Sequence, residues 1–186
     1  MTTALWLLAI QGIIGAFDTL YYHEWRARLA AGVSGTAPEL KLHAARDFLY
    51  ASLLGALPWL EWRGLWAVVL AAVLLMEIIL TLADFVVERR VRKPLGDVYV
   101  GERVTHAVMG IIYGAMLANL LPVLWRWLHL PTGLAPTETA ASEPLQWSLA
   151  VMAIGVFLSG ARDLYAALGL PHGGWPWKAE KAGGRS

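Results

Sequence analysis

The sequence predicts an all-α integral membrane protein: a bundle of five transmembrane helices, N-terminus outside and C-terminus cytoplasmic. Three observations carry this. First, the 186 residues are 58% hydrophobic and only 16% charged, against roughly 25% charged in a soluble domain. Second, five segments approach the ~20 apolar residues that cross a bilayer. Third, Lys and Arg alternate between the two sides, 4, 1, 5, 1 and 4 along the successive connections and the tail, as the positive-inside rule requires. Seven tryptophans (Trp6, Trp59, Trp62, Trp66, Trp125, Trp127 and Trp147) fall on the opposite side from the cations, and three (Trp25, Trp175 and Trp177) fall with them. Trp favours the membrane–water interface.

The helices are expected at about 3–30, 38–58, 64–91, 100–128 and 144–169, forming one domain over 1–170, with a mobile tail at 171–186. The first helix lacks a basic leading segment and a small-residue cleavage site, so it reads as retained rather than as a signal peptide. The second starts at Thr36-Ala37-Pro38-Glu39, with Pro and Glu in its first turn, and Pro58 sits where it ends. Its uncharged part, Phe48 to Leu60, is short. The third carries Glu77 and Asp84 within an apolar run. Lys93-Pro94-Leu95-Gly96-Asp97 turns the chain into the fourth, where Asp97 is a candidate cap. Gly110-x-x-x-Gly114 in that helix would admit a close neighbour. Thr132 to Pro144 reads as an irregular outer loop. Backbone groups in lipid must be paired within a segment, so the spans are helices rather than strands.

The ionisable residues gather at the cytoplasmic helix ends. His43 and Asp47 are four apart, as are Glu102 and His106, and such pairs share a helix face. Glu77, Asp84 and Glu88 share another. Asp18 aligns with Tyr21, Tyr22 and Trp25 on an α-helix, while His23 and Glu24 point elsewhere. By depth, His43, Glu88 and Glu102 lie ~5–6 Å outside Asp47, Asp84 and His106, and Glu77 lies ~10 Å deeper than Asp84.

Carboxylates near hydrocarbon cost ~2–3 kcal/mol each and usually face partners in the bundle interior. A divalent metal would neutralise several at once, and imidazole with carboxylate suits iron, zinc or manganese. The expected ligands are His43, Asp47, Asp84, Glu88, Glu102 and His106, with Asp18 or Tyr22 as catalytic acid, base or orienting group. The competing expectation is a salt-bridge network with Arg46, Arg90 and Arg103. Arg162 and the basic 89–93 run are expected to reach lipid phosphates, and Glu24, Glu39 and Glu180 to be solvated. The spacing departs from the Glu-x-x-His of di-iron bundles, because Glu102 and His106 are four apart.

Three function classes follow. The first is a metal-dependent membrane hydrolase or oxidoreductase acting on a lipid or another hydrophobic substrate. The second is a haem b or quinone-linked electron-transfer protein using His23 with His106 or His43. The third is a small transporter, channel or membrane assembly component built around Glu77 and Asp84. The expected location is a cell membrane, crossed several times (the inner membrane for a bacterial chain). Membrane lipid is the expected partner, a homo-oligomer is compatible, and a net charge of +1 gives no reason to invoke nucleic acid. No Walker loop, G-x-G-x-x-G, G-x-S-x-G or Cys nucleophile is present.

Overall fold

The computed structural model describes residues 1–31, 35–137 and 141–177. Among the described residues there are five α-helices: α1 Thr2–Phe17, α2 Ala37–Ala56, α3 Leu65–Arg92, α4 Val100–Leu128 and α5 Glu143–Ala167. Four helical stretches among these residues are long and apolar enough to cross a membrane: Thr2–Ala31, Leu65–Leu95, Val100–Leu128 and Glu143–Ala167. α2 is not among them, because Glu39, Lys41, His43, Arg46 and Asp47 crowd its first half. It nevertheless packs along α3, with Glu39 beside Arg92 at one end.

Polarity is distributed the reverse of a water-soluble bundle. Ile13, Leu75, Ile79, Val86, Ile111 and Ile154 are exposed, while Glu39, Asp84, Arg92 and Glu102 are buried. An apolar exterior is what a hydrocarbon solvent permits. The apolar core, built on Leu8, Leu53, Leu70, Met116, Leu120 and Leu149, lies toward the Trp-rich end. α1 packs mainly on α4, and α2 mainly on α5 and then α3. Gly160 of α5 makes the α2–α5 approach close: a methyl there would come within 2.8 Å of Asp47 Cβ.

The Trp-rich end holds a feature the loop reading missed. β1 (Leu60–Arg63) pairs antiparallel with β2 (Gly133–Pro136), in the register Leu60↔Pro136 to Arg63↔Gly133. Each strand is four residues long and its partner is some seventy residues away, so no local alternation announces it. The rest of the expected loop includes 138–140, outside the described residues. Gly64 closes this end with φ of 57°, a left-handed conformation that L side chains avoid. Its N–H donates to the Trp127 carbonyl at 2.8 Å. Trp127 itself is buried in the core rather than placed in an interfacial belt, whereas Trp66, Trp125 and Trp147 are exposed.

At the opposite end the chain departs from α-geometry. Directly after α1, Asp18–Arg26 forms a π-helical segment. The tail expected at 171–186 has a defined start, where the Arg28 guanidinium lies 4.5 Å over the Trp177 ring and Gly174 abuts Ala30 and Ala31. Residues 178–186, Glu180 among them, lie outside the described residues. Gly110 and Gly114 have no neighbour within 4 Å of a built Cβ, so no helix of this chain uses that stripe.

Candidate metal centre and its cavity

The π-helical segment creates the site. On an α-helix, five residues turn through ~500°, leaving His23 ~140° away from Asp18. In a π-helix the hydrogen bond runs from i to i+5, which stacks His23 over Asp18. His23 Nε2 accordingly lies 3.3 Å from Asp18 Oδ2. From α4, His106 Nε2 reaches the same oxygen at 3.0 Å. Among the described residues, Asp18, His23 and His106 form the group of three able to hold a metal, with ligand atoms all within 4.8 Å of one another. Of the six ligands expected from sequence, His106 belongs to it.

The separations fit a metal ion. Bonds of ~2.1 Å place neighbouring ligands ~3.0 Å apart in an octahedron and ~3.4 Å apart in a tetrahedron, which brackets both Asp18 contacts. One imidazole also has an outer partner: Glu88 Oε2 is 3.7 Å from His106 Nδ1, the nitrogen turned away from Asp18. Glu102 Oε1, in contrast, lies 3.3 Å from His23 Nε2, the nitrogen that faces Asp18. Carboxylates behind ligating imidazoles fix ring orientation and raise basicity. Phe85 stacks on the His106 ring, centroids 5.4 Å apart.

Of the remaining expected ligands, Asp84 and Glu102 lie in an adjoining arginine network, with His43 beside Asp84. Arg92 donates from Nε to Glu39 at 2.8 Å and from Nη2 to Glu102 at 3.1 Å. Arg92 is 1% exposed, and both carboxylates are 0% exposed. Arg46 donates to Asp84 at 2.7 Å and lies 3.9 Å from Glu77. His43 sits 3.4 Å from Asp84 and 3.7 Å from Asp163, and Asp47 bonds Ser159 of α5.

Several sequence assignments change accordingly. Glu39 is fully buried rather than solvated, and the buried cation of the 89–93 run is Arg92 rather than Arg90. Arg103 reaches only Asp97. Arg162 is bidentate to Glu24 instead of reaching lipid. Helix periodicity gives the face of a residue but not which opposing charge shares it. Asp97 is not the N-cap of α4, which is Tyr99. The Val98 N–H and then Arg103 hold its carboxyl below the usual range. Tyr22 packs against Tyr21 and Tyr99 with its hydroxyl over Gly101. Glu77 accepts from Thr81 at 2.7 Å, while Asn119 bonds its own helix.

The His23 and His43 rings stack directly, 9° from parallel with centroids 4.5 Å apart. That leaves no gap for a porphyrin between them. Asp18, His23 and His43 line a cavity of about 560 Å³ between α1, α2 and α5, a volume within the usual range for small-ligand sites. Met152, Val156 and Leu54 form its apolar end, and Asp47, Asp163 and Arg46 its polar end. On an α-helix at most one of His23 and Glu24 joins the face of Asp18, so the spacing does not single out His23 as its neighbour. The stretch Asp18-x₄-His23 carries no signature of the wider turn. The chain matches no protein-family model, no curated protein and no solved structure.

Proposed function

We propose that the chain is a multi-pass membrane protein with a divalent-metal centre at the cytoplasmic end of the bundle, serving a hydrolase or oxidoreductase that acts on a hydrophobic substrate. One observation carries the reading: two imidazoles and a carboxylate from the π-helical segment and α4 converge on one point at the wall of a cavity. Asp18, His23 and His106 hold the metal in this reading. Glu88 supports the His106 ring. The Glu39–Arg92–Glu102 and Arg46–Asp84 pairs fix the helix ends around them. Two His and one carboxylate leave open positions, a donor set that suits iron, zinc or manganese. When bound, such a metal supplies Lewis acidity or an activated water. Asp18 orients both rings through one oxygen, and the apolar cavity wall keeps bulk water from the reacting group.

The topology belongs to the same reading. α2 is the fifth span, its charged half lining the bundle interior beside α3 and α5. The cations and the His/carboxylate cluster then face the cytoplasm, with the β1–β2 ribbon outside.

Elemental analysis of protein purified in detergent tests the function. The expected result is close to one equivalent of iron, zinc or manganese per chain, lost in the His23→Ala, His106→Ala double variant and retained in His43→Ala. Protein that stays metal-free after incubation with all three metals overturns the reading.

A further inference from the structure

We propose that the cavity between α1, α2 and α5 binds one single-chain amphiphile whose headgroup is neutral or cationic and donates hydrogen bonds, such as a long-chain alcohol or amine. This names the substrate class of the proposed enzyme. It rests on that reading for what becomes of the ligand, but not for its binding.

The enclosed volume matches one chain. At ~30 Å³ per water-sized atom, 560 Å³ holds roughly twenty non-hydrogen atoms, one acyl-length chain with a small head. The cavity also reaches the lipid-facing surface. α1 packs on α4 and α5 on α2, and few residues join α1 to α5. Leu20 and Leu158 line the cavity and are exposed as well, which marks an opening between the two helices.

Charge selects the head. Of the cavity's two arginines, Arg162 is taken by Glu24 and Arg46 by Asp84. Asp18, Glu24, Asp47 and Asp163 all line the cavity, four carboxylates against those two guanidiniums, although Asp18 also faces His106 and Asp163 faces His43. A carboxylate or phosphate head would meet this excess of like charge, which costs several kcal/mol at close range. Hydrogen bonding agrees. Gln11 is 4% exposed, its Nε2 donates to the Tyr50 hydroxyl at 3.3 Å, and its Oε1 is buried without a partner. Asp18 Oδ1 is likewise buried and unpartnered. Both are acceptors, and the other unbonded buried atoms of the lining, Arg46 Nε and His43 Nδ1, already face Glu77 at 3.9 Å and Asp163 at 3.7 Å, so the complementary ligand is a donor. Leaving such groups unpaired in a buried site is costly.

The test uses metal-free protein in phosphatidylcholine nanodiscs, with radiolabelled hexadecanol, hexadecylamine and palmitate. The expected result is saturable binding of the alcohol and amine at one per chain, roughly tenfold or more tighter than palmitate. Gly155 lines the cavity, and a methyl added there would meet nothing within 4 Å, so Gly155→Trp introduces its bulk from open space at the cavity wall. It should weaken alcohol binding roughly tenfold, while Gly155→Ala leaves it unchanged. Gln11→Leu, which removes one orphan acceptor, should weaken it roughly fivefold and serves if Gly155→Trp misfolds. Palmitate binding as tight as the alcohol overturns the headgroup assignment. Saturable binding of neither probe, or binding unaffected by both Gly155→Trp and Gln11→Leu, overturns the site. Metal content, measured separately on the same variants, is expected to stay at the wild-type value. Failure of the metal centre and failure of the cavity are therefore read independently.

Discussion

Arg92 joins two carboxylates that solvent does not reach, Glu39 from α2 and Glu102 from α4. Removing one partner of a buried ionic group typically costs about 3–5 kcal/mol, since the remaining charges stay buried and uncompensated. Arg92→Ala should therefore lower the unfolding free energy in detergent by that amount. Arg92→Lys should recover only part of it, because a single ammonium cannot copy the planar fork that serves both carboxylates. Wild-type stability in Arg92→Ala would show that the network holds little. A different residue tests the metal reading more finely. Glu88 lies behind His106 rather than beside the ion, so Glu88→Gln should weaken metal affinity by roughly 10–100-fold without abolishing it. An unchanged affinity in a metal titration would remove Glu88 from the centre.

At the level of elements, the π-helical segment is the decisive departure. It converts an i,i+5 pair, which an α-helix splays apart, into a facing pair. Deleting Leu20, an exposed residue between Asp18 and His23, returns the pair to i,i+4, which faces on an ordinary α-helix. That deletion should retain metal, whereas inserting an alanine after Leu20 should lose it. The opposite outcome, read by elemental analysis, would show that the wide turn does not set the ligand geometry. At the Trp-rich end, Gly64 combines a positive φ with a Cβ position 2.7 Å from the Thr132 Cα. Gly64→Ala should cost about 1–3 kcal/mol and loosen the β1–β2 ribbon that ties the start of α3 to the end of α4. Chemical unfolding in detergent measures it, and a neutral change would mean the ribbon yields freely.

For the whole molecule, the alternating cations give a directional expectation. A fluorescent protein fused at the C-terminus should mature in the cytoplasm, and a periplasmic reporter in the β1–β2 ribbon should be active outside. Activity of an outer-side reporter at the Lys93–Leu95 turn would invert the topology. The four helices long and apolar enough to cross a membrane were legible from composition alone, because a run of apolar residues of that length needs no tertiary information. α2 was less legible: its apolar half is short, and only its packing beside α3 and α5 shows where its charged half goes.

The sequence by itself determined the helices, the start of α2 at Pro38, and the gathering of His, carboxylate and Arg at one end. These follow from local propensity and from the cost of charge in hydrocarbon, both of which are readable one segment at a time. The tertiary structure alone decided the partners. Arg92 rather than Arg90 enters the interior, Glu39 is buried rather than solvated, and His23 rather than His43 joins Asp18 and His106. Each outcome depends on the relative rotation of neighbouring helices, and for His23 on a change of helical pitch within α1's own continuation. Neither quantity is encoded in residue spacing, since spacing fixes a face only once the pitch and the opposing helix are known.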